Sequence, residues 1–467
     1  MEGQPNTTFY LALAAYPPIT VALFWGLGSR RGMLASLLGG WLFLPSFAQP
    51  LGPPLLHTKP MFVPMVVLAV SLAFDLRRWT RFRPGLLDLP MAFVCLGPAA
   101  TALANDMGGY EAGSAVFEAF AAWGAPYLLA RLYLGRPEAL RGLAMAIVVA
   151  ALVYVPFCIW EIRMSPQLHQ NLYGFSSYGM FVTVVRWGGF RPSVFMATGL
   201  AVGMFMACGA LIALWLWRTG AQRTVAGVSF GWAAALLAVT TLLCKSTGAI
   251  ALLVAGYGAL EATRWIRKPI LLLALVAIPV VYAASRISGW SGDRLVAAVE
   301  THVSTDRAQS LQFRMMNEDM LIAKALRRPW MGWGRFGRSR VYDEAGADVV
   351  ITDGMWIVML GMNGLMGLLA TWLVLSLPAL ALLRMFPARQ WSDPRLAPAA
   401  VLAVSALLWA IDDLSNAMMT PVFPAMSGAV IAFFILARNA RALRGTATNH
   451  ALRIAARRTN WARGHGS

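Results

Sequence analysis

Apolar residues in this chain gather in long blocks, without the sustained alternation or three-and-four spacing of a soluble domain. Blocks that can cross a bilayer, some only with tilt, lie at residues 9–28, 32–48, 60–75, 86–104, 112–134, 139–160, 192–217, 224–243, 247–262, 270–285, 354–383, 396–412 and 420–437. That predicts thirteen spans, each near the ~20 residues that a ~30 Å hydrocarbon layer demands. Short basic runs fall at every second connection, from Arg30 and Arg31 through Arg77, Arg78, Arg81 and Arg83 to Arg384, Arg389 and Arg395. By the positive-inside rule these runs face the cytoplasm and the N-terminus lies outside. Twelve spans with a re-entrant first block fit nearly as well. The expected fold class is all-α: a polytopic transmembrane helix bundle of 12–13 spans with one long, partly helical extracytoplasmic loop. Spans 1–10 occupy residues 1–285, the loop 286–353, spans 11–13 residues 354–437, and a basic cytoplasmic tail 438–467.

Composition strengthens this picture. Of 467 residues, 58% are hydrophobic and 13% charged, with a mean hydropathy of +0.61, against about 45–50% and ~25% in soluble domains. A soluble enzyme is excluded. The formal charge of +18 is spread in short runs between apolar blocks, so its expected partner is membrane lipid and not nucleic acid. Cys95, Cys158, Cys208 and Cys244 lie in or beside apolar blocks with no CxxC pair, and the five histidines are scattered. No metal, cofactor or disulfide framework is expected. The start MEGQPNTT lacks a positive leader, which predicts no cleaved signal peptide.

Two outward segments can carry chemistry. One, residues 161–191, is aromatic-rich and reads as an amphipathic stretch along the interface. The other, residues 286–352, holds ten Lys or Arg against eight Asp or Glu. Within it, AQSLQFRMMNEDMLIAKAL reads as an amphipathic helix with Leu311, Met315, Leu321 and Ile322 near one side. Arg314 and Glu318 stand four apart, the spacing of an exposed intrahelical ion pair. Gly332, Gly334 and Gly337 match GxGxxG without a preceding strand, so a dinucleotide site is rejected. They either shape a turn after Pro329 or, beside Arg335, Arg338 and Arg340, present amides and guanidinium forks to a phosphate. Asp353, at the mouth of the next span, either caps that helix or acts as a general base. Gly361, Gly364 and Gly367 suit close helix packing. Arg191, Lys245, Asp412 and Asp413 sit near other outward helix ends, where snorkelling explains one of them but several together suggest an anion site with counter-charges.

This ordered set resembles the O-antigen polymerase and ligase superfamily of integral membrane glycosyltransferases. The resemblance runs over residues 190–437: an arginine ahead of a Gly-containing span (Arg191), a short polar turn (CKSTGA, 244–249), an arginine-bearing loop helix (Arg314), a Pro-hydrophobic-Gly-x-Gly turn (RPWMGWG, 328–334) and a final segment TDGMWIVMLGMNGLMGLL (352–369). Asp353 stands where ligase members often have histidine, and Ser246 and Thr247 replace the turn arginine with Lys245 nearby. A polymerase reading suffers less from these departures than a ligase reading.

The resemblance implies a bacterial cytoplasmic-membrane enzyme that joins oligosaccharide repeats carried on polyprenyl pyrophosphate. Transfer would be inverting and metal-independent, on the outer face. Arg191 and Arg314 would stabilise the leaving pyrophosphate, with Lys245, Arg307, Arg335, Arg338 and Arg340 as further phosphate contacts. Asp353 would orient or deprotonate the acceptor glycan, with Asp412 and Asp413 as alternative bases. Partners would be the lipid-linked oligosaccharide, the growing glycan and other polysaccharide-assembly proteins. The rivals are ligation to lipid A core and, in another class, a lipid-linked oligosaccharide flippase or export transporter. Transporters commonly show internal halves and broken helices, and the sequence shows neither clearly.

Overall fold

In a computed structural model, residues 3–47, 58–178, 184–302 and 305–440 are described, without the side chains of residues 306 and 307. Helices α1 Thr7–Leu27, α2 Ser29–Phe43, α3 Lys59–Thr80, α4 Leu89–Ala104, α5 Gly108–Ala119, α6 Ala125–Tyr133 and α7 Pro137–Met164 form the first half. A π turn, Phe120–Gly124, joins α5 to α6, just ahead of Pro126, which has no N–H for an α-helical ladder. After the short α8, Leu168–Tyr173, come α9 Gly199–Arg218, α10 Phe230–Leu243, α11 Thr247–Ile266 and α12 Ile270–Ile287. The chain then forms α13 Asp293–His302, α14 Thr305–Ala325, α15 Met355–Met385 and α16 Ala397–Asp412, and α17 Val422–Ala440. Two small ribbons complete it: β1 Val185–Arg186 with β2 Gly189–Phe190, and β3 Thr224–Val225 with β4 Val228–Ser229.

The protein is thus an all-α helical bundle, and every apolar block of the sequence contains a helix. Among the described residues, nine helices are long and apolar enough to cross a membrane: α1, α3, α4 with its preceding turn, α7, α9, α11, α12, α15 and α17. Helices α9 and α16 form the centre, where small residues let neighbours approach closely. Almost all of α16 is buried, and α9 packs against α7, α10, α11 and α16. A second, smaller core of Ala283, Leu321, Ile322, Ala325, Trp356 and Leu360 fixes α14 against α12 and α15.

The described part of the segment after α7 is pinned to the helices by buried charges. The fully buried Glu161 accepts from the amides of Leu168, Ser193 and Val194 at 3.0, 2.8 and 2.7 Å. Val194, β-branched, is held at φ 48° by this carboxylate, a strained conformation of the kind found at constrained sites. Lys59 Nζ donates to the carbonyls of Leu44 and Phe195 at 2.6 and 2.8 Å. His169 Nε2 accepts from the Ser46 amide at 2.9 Å, so its other nitrogen carries the proton toward the Phe175 carbonyl at 2.8 Å.

Burial lowers the His169 pKa to about 4, the Lys59 charge adding to the effect and the Phe175 bond opposing it. The folded chain therefore prefers the neutral ring. That contribution, about 3 kcal/mol in full, is present above the ordinary histidine pKa and is lost as pH falls toward 4. Thermal stability in detergent should accordingly fall below about pH 6.5, and His169→Gln should remove that part of the slope.

The glycines after the loop do more than pack helices. Within α15, Gly364 has φ 64° and ψ −165°, a conformation essentially restricted to glycine. The helix is broken there, and residues 329–334 of the loop dock into the break. Trp333 and Gly334 donate their amides to the carbonyls of Gly361 and Met362 at 2.9 and 2.8 Å, and the Leu365 amide reaches the Pro329 carbonyl at 2.7 Å. A Cβ on Gly364 would lie 2.3 Å from the Trp330 carbonyl oxygen. Gly364→Ala should therefore undock this segment, lowering the unfolding temperature and speeding tryptic cleavage after Arg327. An unchanged digestion pattern would contradict the docking.

Candidate functional site

The 286–353 loop meets the bundle where α14 passes the start of α15. Asp353 lies just ahead of α15, yet the helix is capped by Gly354 with no side-chain bond. Asp353 Oδ2 is instead 3.0 Å from Arg314 Nε, with both side chains a little over one-third exposed. The expected Arg314–Glu318 pair is replaced by two others, because α14 turns Glu318 inward against α12. There Glu318 accepts from Arg286, Tyr282 and Trp356 at 3.0, 2.8 and 3.2 Å. Burial pushes its carboxyl above the usual glutamate range, although the hydrogen bonds from Tyr282 and Arg286 oppose this.

Arg191 is buried, and its Nη2 donates to the Lys245 carbonyl at 3.1 Å. Lys245 has φ 53° in the turn between α10 and α11, and its ammonium rests against Gly189 of the β1–β2 ribbon. Ser246, at the start of α11, packs against Gly203 of α9, and Asp412 lies over the neighbouring Gly248. Asp412 accepts from Asn416 at 2.8 Å. Among the described residues, its Oδ2 and both oxygens of the buried Asp413 have no hydrogen-bond partner.

Residues 412–416 then reach the mouth of α15. The Met355 and Trp356 amides donate to the Asn416 and Asp413 carbonyls at 3.2 and 3.3 Å, and the Leu414 carbonyl abuts Gly354. A continuous set of contacts therefore links Arg191, Lys245 and Asp412 to Asp353 and Arg314. Asp412 and Asp413 are enclosed by this packing, whereas the Arg314–Asp353 pair is wet.

The glycine-flanked arginines are placed differently. Arg335 forks onto Glu111 and Glu118 of α5 at 2.6 and 2.7 Å and onto Ser114 at 2.8 Å. Arg340 bonds Asp348 at 2.6 Å, Thr352 at 2.8 Å and the Val350 carbonyl. Arg338 is exposed, and the side chain of Arg307 lies outside the described residues. Lys324 and Arg328 cover the Trp333 ring at 4.1 and 4.7 Å, and Arg328 also bonds Asn105 at the end of α4. Beside this docked segment, an apolar groove of about 300 Å³ between α4 and α15 is lined by Phe93, Gly97, Thr101, Met331, Asn363 and Met366.

The sequence reading did not single out Glu161, Lys59 or the Arg286–Glu318 pair. Each is a lone charge at the edge of an apolar block, a position that is costly unless paired, and that cost is the available signal. No model of a known protein family matches this chain, and no curated protein matches it.

Proposed function

We propose that the protein is a polysaccharide polymerase of the bacterial cytoplasmic membrane, joining oligosaccharide repeats borne on polyprenyl pyrophosphate at its outer face. The observation that carries this reading is the solvent-exposed Arg314–Asp353 pair, which sets a guanidinium and a carboxylate side by side at the mouth of α15. The contacts from this mouth to Arg191 and Lys245 support it further, and the α4–α15 groove offers an apolar berth for the isoprenoid tail.

In this proposal the acceptor hydroxyl attacks the anomeric carbon from the face opposite the diphosphate. The bond from that carbon to the diphosphate oxygen breaks, and the electron pair leaves with the polyprenyl pyrophosphate. Arg314 meets the growing negative charge; Lys245 is a further cation, its turn held by Arg191, and the exposed Arg338 is an outer one. An arriving diphosphate competes with Asp353 for Arg314, and the released carboxylate takes the hydroxyl proton. Arg335 and Arg340, already tied to carboxylates, shape the loop. Asp412 and Asp413 remain alternative bases, reached only if the strap at 412–416 moves.

The test is incubation of purified protein with a polyprenyl-pyrophosphate oligosaccharide, without metal or nucleotide sugar. A ladder of repeats supports polymerisation, while transfer only to added lipid A core selects ligation. A transport reading is favoured by one feature, the broken α15. Movement of labelled lipid across liposomes with no glycan product would replace the proposal with that reading.

A further inference from the structure

Helix α17 starts beside the 412–416 strap and ends at the opposite end of the bundle, where a cavity of about 780 Å³ opens between the α1–α2 turn, the end of α3 and the turn after α6. It is lined by Arg30, Arg31, Arg78, Arg81, Arg83 and Arg136, together with Arg131, and by no acidic side chain. Among the described residues, only Arg131 of these has a carboxylate partner, Asp88 at 2.6 Å. So many unneutralised guanidinium groups around one cavity repel one another and call for an anion, and their planar forks match phosphate oxygens.

A second feature says what kind of anion. A groove of about 650 Å³ shares Leu27, Arg30 and Arg31 with the cavity and runs between α2 and α7. Beyond a polar mouth where Glu138 and Arg141 join Arg30 and Arg31, its walls are apolar, with Leu34, Leu38 and Leu42 on one side and Met145, Val149 and Val153 on the other. The 15 residues of α2 make the groove about 20 Å long, more than the ~15 Å of one leaflet's hydrocarbon. A basic chamber that opens into such a groove fits a charged head with a hydrocarbon chain. We propose that this end of the protein binds a phosphate-bearing anionic lipid, its headgroup among the arginines and one chain between α2 and α7. The site is separate from the proposed transfer site and does not depend on it.

The full-length protein in neutral detergent would be titrated with phosphatidylglycerol, phosphatidylcholine and inorganic pyrophosphate, with binding followed by native mass spectrometry and thermal shift. Phosphatidylglycerol should bind in preference to phosphatidylcholine. Each arginine removed should weaken it about fivefold, so Arg81→Gln with Arg83→Gln should cost about twenty-five-fold. Gly39 and Gly142 face the groove with open space where a Cβ would stand, so Gly39→Leu and Gly142→Leu fill it without disturbing the fold. They should weaken phosphatidylglycerol and leave pyrophosphate binding unchanged. Equal binding of both lipids, or no effect of the arginine pair, overturns the site. Pyrophosphate binding at full strength with lipid binding indifferent to the groove variants overturns the lipid and leaves a soluble phosphate as occupant.

Discussion

Arg314→Ala should abolish the ladder of repeats made by the purified protein from polyprenyl-pyrophosphate oligosaccharide, with a rate loss of about 10²–10³-fold if it behaves as one preorganised donor to a developing oxyanion. The fold should hardly notice the change. Arg314 and Asp353 are both more than one-third exposed, and ion pairs of that kind contribute about 0–1 kcal/mol. Activity and stability therefore separate at this residue. Arg314→Lys keeps the charge but loses the planar fork, so it should retain a small part of the rate. Asp353→Asn should lower turnover while leaving lipid binding intact, because it removes the proton acceptor and leaves Arg314 free to meet the diphosphate. If Arg314→Ala makes ladders of normal length and yield, the leaving-group role is wrong and the wet pair is an ordinary surface contact.

The all-α class was legible because apolar blocks of this length leave a backbone little choice but helix. The three-dimensional partners of the charges were not. Arg314 and Glu318 have the spacing of an intrahelical pair, but spacing says nothing of which face is covered. Once α14 docks with Met315, Leu321 and Ile322 inward, Glu318 turns with them toward α12 and Arg314 is left at the rim. Likewise Gly361, Gly364 and Gly367 have the spacing of a helix-packing face. The break at Gly364 depends on residues 329–334, some thirty positions upstream, supplying bonds to the freed backbone groups. Arg335 and Arg340 carried the chemistry of phosphate ligands, and it took the placement of α5 and of Asp348 to show their forks occupied. Arg191 and Lys245, far apart in the chain, could be grouped from the sequence only as charges near helix ends, and the structure joins them by a direct bond from the Arg191 guanidinium to the Lys245 carbonyl.

The largest stability effect is expected at Arg286, which touches no reacting atom. Its side chain is fully buried at the end of α12. It bonds Glu318 at 3.0 Å, Asp319 at 2.9 Å, the Met315 carbonyl at 2.8 Å and the Trp290 carbonyl. Arg286→Met would leave the Glu318 carboxyl enclosed with only Tyr282 and Trp356 as donors, and would remove the side-chain bonds to the Met315 and Trp290 carbonyls. Breaking a buried pair on one side costs about 3–5 kcal/mol. The cost should depend on pH in a definite direction. Because Glu318 already has a raised pKa in the folded chain, its protonated form favours folding at acidic pH, and that help fades as pH rises through the folded value. Without the guanidinium the folded value rises further, so Arg286→Met should be least destabilising in acid and most destabilising near neutrality. Adding Glu318→Leu removes the stranded carboxyl, so the double variant should recover most of the lost stability and show far less pH dependence. Urea unfolding in mixed micelles across pH 4.5–7.5 checks both; additive losses with no pH trend would show that the pair does not hold α14. If α14 is held this way, Arg286→Met also lowers transfer activity by displacing Arg314, and the double variant restores both together.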